Sequence, residues 1–280
     1  MFISDSLIFV ELHKTAGSHI GRCLNKILDG AQVGKHNMVP VELHDRFILG
    51  SIRNPWDWYV SLWGYGCDKK GSVYSQTTRR YDFNYYWRQL NKEMGRKWLN
   101  PAQYTRQLLA DTCKPVQQWK EVYADSSNPE LFRQWLKLVL SAERRFDLGE
   151  GYGFSPISQH SGLLTYRYCK LFTRLGADLY RLPELANQSN LANVWDTYSI
   201  TNFIVKSENL EADLLKAFAC ANIPLSEEQK QFILQGKNEK TNTSSRKSVE
   251  FYYDSETIQL IAEKEKLIIL QYNYSPPQLV

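Results

Sequence analysis

The sequence predicts an α/β domain: a parallel β-sheet flanked by helices and interrupted by a largely helical insertion over about residues 64–165. Three strand-then-helix units carry that prediction. In the first, residues 7–10 are apolar and a short loop follows. Ile20, Cys23, Leu24, Ile27 and Leu28 then fall at helical spacing, and Gly30 is read as the stop. In the second, residues 46–52 form an apolar run of strand length. Arg53-Asn54-Pro55 closes it, because Pro cannot continue a central strand, and residues 56–63 return to helical spacing with Pro55 suited to the first turn. In the third, residues 202–206 lead into an amphipathic segment over 207–218, with Ser207 placed as N-cap and acidic residues in the first turns.

Between residues 64 and 164 no further strand pattern occurs. Residues 85–98 and 130–146 read as amphipathic helices, the second started by Asn128-Pro129. Residues 31–41 and 149–153 read as loops, and 226–235 as a short helix. Residues 236–249 form a polar, basic, hydroxyl-rich loop, and 255–271 a last helix. At 280 residues the chain is long enough for one large α/β domain or two small ones, and a single domain over 1–280 is the expectation.

Composition narrows the function. A net charge of +4 suits one or two anion pockets and not a surface that coats nucleic acid, so no nucleic-acid partner is expected. The apolar run at 7–10 is too short for a membrane span or a signal segment and has no basic stretch before it. The five Cys are odd in number and contain no C-x-x-C pair, which suggests neither a zinc site nor a disulfide framework. Reduced thiols and a cytoplasmic location are the expectation.

The first unit has the makings of an anion site. His13-Lys14-Thr15-Ala16-Gly17-Ser18-His19 joins a buried strand to a helix start. Free N–H groups at a helix N-terminus, the helix dipole, small residues and a full charge on Lys14 together favour a phosphate. The order excludes a Walker A loop, because the Lys precedes the Gly and no Gly opens the loop. The plain alternative is a strand-to-helix turn with a surface Lys. In the second unit, Arg53 at the strand end and Ser61 two helical turns on can meet at one phosphate, Arg through a forked contact and Ser through its hydroxyl. The alternatives there are a surface ion pair and a Ser bonded to its own helix.

Lys14-Thr15-Ala16-Gly17-Ser18 after a strand resembles the 5'-phosphosulfate loop of the sulfotransferase superfamily, and Arg53-Asn54-Pro55 through Ser61 resembles that superfamily's 3'-phosphate element. Ser207-Glu208-Asn209-Leu210 is similar to its late Glu-Asn-Leu element, in which the Glu is structural. Asn242 to Lys247, Tyr252-Tyr253-Asp254 and the terminal Tyr272 and Tyr274 resemble the C-terminal end of Golgi-type and bacterial carbohydrate sulfotransferases. Three positions depart from the pattern: His13 stands where Pro is usual, His19 where a small hydroxyl residue is usual, and Trp58 where Arg is usual.

The resemblance implies a P-loop-like fold and a sulfuryl transfer from 3'-phosphoadenosine 5'-phosphosulfate (PAPS) to a hydroxyl acceptor, with a carbohydrate favoured. The product is adenosine 3',5'-bisphosphate, and no metal is expected. It assigns Lys14 to the leaving oxygens, with donors from Thr15, Ala16, Gly17, Ser18 and His19. Arg53, Ser61, Arg246 and Lys247 are assigned to the 3'-phosphate, and the helical insertion to the acceptor side. His36 is the first candidate for general base and His13 the second; Glu11, His44 and His160 follow. Two rivals stay open: a nucleotide or small-molecule kinase, against which the missing Gly-Lys-Ser/Thr speaks, and a non-catalytic nucleotide-binding homologue, for which the departures leave room.

Overall fold

The computed structural model describes residues 1–80, 101–236 and 246–279, with only the backbone for 101–104. The expected helix at 85–98 and most of the basic loop, including Asn242, lie outside the described residues. The architecture is α/β, with a five-stranded sheet in the order β3-β1-β2-β4-β5. The strands are β1 (Phe2–Ser4), β2 (Leu7–Phe9), β3 (Gly30–Gln32), β4 (Phe47–Ile52) and β5 (Phe203–Lys206).

Strands β2, β4 and β5 are parallel, with Leu7 opposite Phe47 and Leu49 opposite Phe203. The sheet as a whole is mixed, which corrects the expectation of a purely parallel one. Only Asp5-Ser6 separates β1 from β2, and so short a link forces a hairpin, with Phe2 opposite Phe9. Ser4 pins that turn by accepting from the Leu7 N–H at 3.1 Å. Strand β3 pairs antiparallel with β1, within a stretch expected to be loop. Gly30 belongs to this strand and does not stop the helix. A side chain there would collide with the Phe2 ring and the Ile3 carbonyl, so the close approach of β3 to β1 requires Gly.

Helices cover both faces of the sheet. Leu7, Phe9, Leu49 and Val205 face α1 (Gly17–Ile27), while Ile8, Val10, Ile48 and Ile52 face the larger core. That core is centred on α2 (Pro55–Cys67), where Trp56, Trp58, Tyr59, Val60 and Trp63 are all buried. Asn54 caps α2 by accepting from the Trp56 N–H, with Pro55 in the first turn.

The described part of the insertion is helical: α3 (Ser72–Thr78), α4 (Pro101–Thr112), α5 (Val116–Glu121) and α6 (Pro129–Leu140). Asn128-Pro129 starts α6 as expected, but the helix stops at Leu140 and not near residue 146, because Ser141 is extended. Beyond it lie a 3-10 turn at Arg145–Leu148, α7 (Leu163–Phe172) and α8 (Leu191–Tyr198).

After β5 comes a 3-10 turn at Ser207–Asn209, and only then α9 (Leu210–Cys220). Ser207 does not cap a helix. Its hydroxyl donates to the Ile52 carbonyl at 2.9 Å and ties the end of β5 to the end of β4. Ser226 and Gln229 form a capping box for α10 (Glu227–Gln235). The last expected helix is two, α11 (Ser255–Lys264) and α12 (Lys266–Tyr272). The break falls at Glu265, whose buried carboxylate accepts from the Thr165 N–H, the Thr165 hydroxyl, the Leu164 N–H and the Tyr59 hydroxyl. It thereby caps the N-terminus of α7 from across the core. No helix among the described residues is long and apolar enough to cross a membrane.

Candidate functional site

The parallel register brings the loops after β2 and β4 to the same end of the sheet, beyond the C-termini of the strands. In the first loop Lys14 (φ 62°) and Ala16 (φ 63°) are both left-handed, which costs L-residues about 1–2 kcal/mol each. Left-handed residues alternating with right-handed ones turn successive N–H groups to one side as an anion nest, and Lys14 and Ala16 supply the left-handed positions such a nest needs. Ala16 is the N-cap of α1, and among the described residues no side chain caps that helix or places an acid in its first turn. Gly17 lies against the Glu11 side chain, which leaves no room for a Cβ. Thr15 is buried; its hydroxyl bonds the Leu12 carbonyl at 2.8 Å and the Ser51 hydroxyl at 2.7 Å. Ser18 is exposed, and the His19 ring turns along the helix toward Arg22 and Cys23.

The second loop locks onto the first. Arg53 donates through Nη1 to the Lys14 carbonyl at 3.3 Å, and through Nε and Nη2 to Asp57 Oδ2 at 2.7 and 2.5 Å. Arg246 donates to the other oxygen, Asp57 Oδ1, at 2.7 Å. Ser61 follows Asp57 by one turn of α2 and is buried. The Lys14 ammonium rests 4.1 Å from the centre of the Tyr65 ring. Burial, then the charges of Arg53 and Arg246, pull its pKa down to about 8. The structure thus gathers Lys14, Arg53 and Arg246. It does not gather Lys247, whose side chain is exposed and whose N–H donates to the Tyr252 hydroxyl.

Trp58 donates from its indole to the His13 carbonyl at 2.6 Å, so α2 also holds the entry of the first loop. The His13 ring stacks on His36 with centroids 3.4 Å apart. His36, itself left-handed at φ 56°, places Nδ1 2.8 Å from the Glu11 carbonyl. A carbonyl only accepts, so Nδ1 carries the proton and Nε2 keeps its lone pair. Burial lowers the pKa of His36, and burial followed by the charge of Arg167 lowers that of His13 to about 2, so both rings are neutral at pH 7. His13 Nδ1 is buried without a hydrogen-bond partner among the described residues.

Behind this pair, Glu150 is left-handed between two left-handed glycines, Gly149 and Gly151. It accepts from Arg167 Nε and Nη2 at 3.0 and 2.7 Å and from the Ser72 hydroxyl at 2.7 Å. Burial pushes its pKa up, but the Arg167 charge overcomes this and holds the carboxyl well below its usual range. The stretch expected to be a loop at 149–153 is therefore anchored. Of the other base candidates, Glu11 stays at the loop with its side chain against Gly17, whereas His44 bonds the Val39 carbonyl, and His160 bonds Ser161 and the Leu185 carbonyl.

Sequence reasoning passes over Asp57, Ser51, Tyr65 and the Glu150–Arg167 pair. Asp57 carried a readable signal, since it is the acid in the first turn of α2 and stands four residues after Arg53, which precedes the helix cap. Among the described residues no three His, Cys, Asp or Glu side chains group as metal ligands. Comparison with protein-family models, curated proteins and solved structures gives no match for this chain.

Proposed function

We propose that this chain is a P-loop-like sulfotransferase that moves a sulfuryl group from PAPS to a hydroxyl of a carbohydrate acceptor. One observation carries the reading: Arg53 of the second motif reaches the Lys14 carbonyl of the first, so the two cationic cradles adjoin at one end of the sheet. Adjoining cradles suit a nucleotide phosphorylated at both its 5' and 3' positions. Lys14 and the nest N–H groups neutralise charge as it gathers on the leaving 5'-phosphate oxygen. Arg53, Ser61 and Arg246 receive the 3'-phosphate.

His36 takes the acceptor proton at Nε2 as the acceptor oxygen bonds to sulfur. The bond from sulfur to the phosphate oxygen breaks, its electron pair stays on that oxygen, and adenosine 3',5'-bisphosphate leaves. The favoured carbohydrate acceptor rests on the C-terminal resemblance. The test is transfer of labelled sulfate from PAPS to a panel of glycans, with and without a metal chelator. Transfer that survives chelation supports the reading. Phosphoryl transfer from ATP, with no use of PAPS, would replace it by the kinase reading.

A further inference from the structure

We infer that Asp57 is a positioning residue that assembles the 3'-phosphate end of the site by holding Arg53 and Arg246 together. The inference rests on the reading above. A carboxylate only accepts hydrogen bonds, so Asp57 cannot bind a phosphate itself and acts through the two guanidinium groups. Its geometry divides the work between its oxygens. Oδ2 takes the Nε–Nη2 edge of Arg53, and Oδ1 takes Nη1 of Arg246, which lies 189 residues further along the chain.

Arg53 is thereby fixed on two sides, by Asp57 and by the Lys14 carbonyl, and among the described residues one N–H on each terminal nitrogen has no further partner. Among the described residues Arg246 Nε and Nη2 have no hydrogen-bond partner. The three side chains are 18–25% exposed, sheltered yet within reach of a ligand. The Asp57 charge also offsets the mutual repulsion of Lys14, Arg53 and Arg246, so three cations can stand close together before any anion arrives. An acid near the start of a helix can be purely structural through the helix dipole. Such a role would change stability without changing which nucleotide is preferred.

The experiment is calorimetric titration of adenosine 3',5'-bisphosphate and of adenosine 5'-phosphate into the full chain. The proteins are wild type, Asp57→Asn, Arg246→Ala and the double variant, each checked by circular dichroism. Asp57→Asn and Arg246→Ala should each weaken the bisphosphate about tenfold or more and the monophosphate less than about threefold. The double variant should be no weaker than about the worse single, because both remove one arrangement. If Asp57→Asn weakens both nucleotides equally, or leaves the bisphosphate unchanged or tighter, the inference is overturned alone. If wild type binds the two nucleotides alike, the functional reading falls and the inference with it.

Discussion

Thr15 and Ser51, 36 residues apart, share a buried hydrogen bond of 2.7 Å between their hydroxyls. It is the joint between the two loops: Thr15 sits between the left-handed Lys14 and Ala16, and Ser51 lies in β4 two residues before Arg53. Thr15→Val keeps the shape but strands the Ser51 hydroxyl. The expected cost is about 1–3 kcal/mol of stability, read by chemical denaturation. Binding of adenosine 3',5'-bisphosphate should weaken as the loops lose register. An unchanged denaturation midpoint would show that the joint is dispensable.

His36→Ala should leave bisphosphate affinity nearly intact and lower turnover roughly 100-fold or more. Because burial lowers the His36 pKa, the ring stays a competent base below its ordinary range. The acid limb of the wild-type kcat/KM profile should therefore be centred below pH 6.5. An acid limb centred above 6.5 would assign the base elsewhere.

Lys14, pulled down to about 8, loses its charge in mildly alkaline solution. A bound dianion favours the charged form and raises the pKa in the complex, so affinity must fall as pH rises through the free-state value. Bisphosphate binding should weaken between pH 7 and 9 in wild type, and Lys14→Ala should remove that slope. An equal slope in both proteins would reject Lys14 as its source.

Glu265 joins α7 to the break between α11 and α12. Burial raises its pKa to about 7 although Thr165 and Tyr59 hydrogen bonds work against the shift. The folded pKa lies above the unfolded one, so the contribution is fully present below about pH 4.5 and is lost as pH rises through about 7. Stability measured by urea denaturation should decline across that window. Glu265→Gln should be less stable by about 1–3 kcal/mol and lack the decline.

Much of this was legible because the signals were local. A buried apolar run, a small-residue loop and helical spacing all lie within 22 residues of one another in the first unit, and β2, α1, β4, α2 and β5 stand where the pattern put them. The starts at Asn128 and Ser226 were equally readable, since a cap acts on its own helix. The misses depend on partners far along the chain. Strand β3 is wholly exposed and three residues long, so it has no periodicity to see, and it exists because β1 offers an edge. Ser207 looked like a cap, but the Ile52 carbonyl across the sheet took its hydroxyl. The helix break at Glu265 is set by Thr165, 100 residues away. The same reason hid the meeting of Arg246 with Asp57.

The central claim is that Lys14 and Arg53 grip the two phosphorylated ends of one nucleotide. Its most direct test is the affinity of adenosine 3',5'-bisphosphate for wild type, Lys14→Ala and Arg53→Ala, measured without added Mg²⁺. Wild type should bind the bisphosphate, and each variant should lose about tenfold or more in affinity. Equal binding by all three, or none by wild type, would contradict the claim.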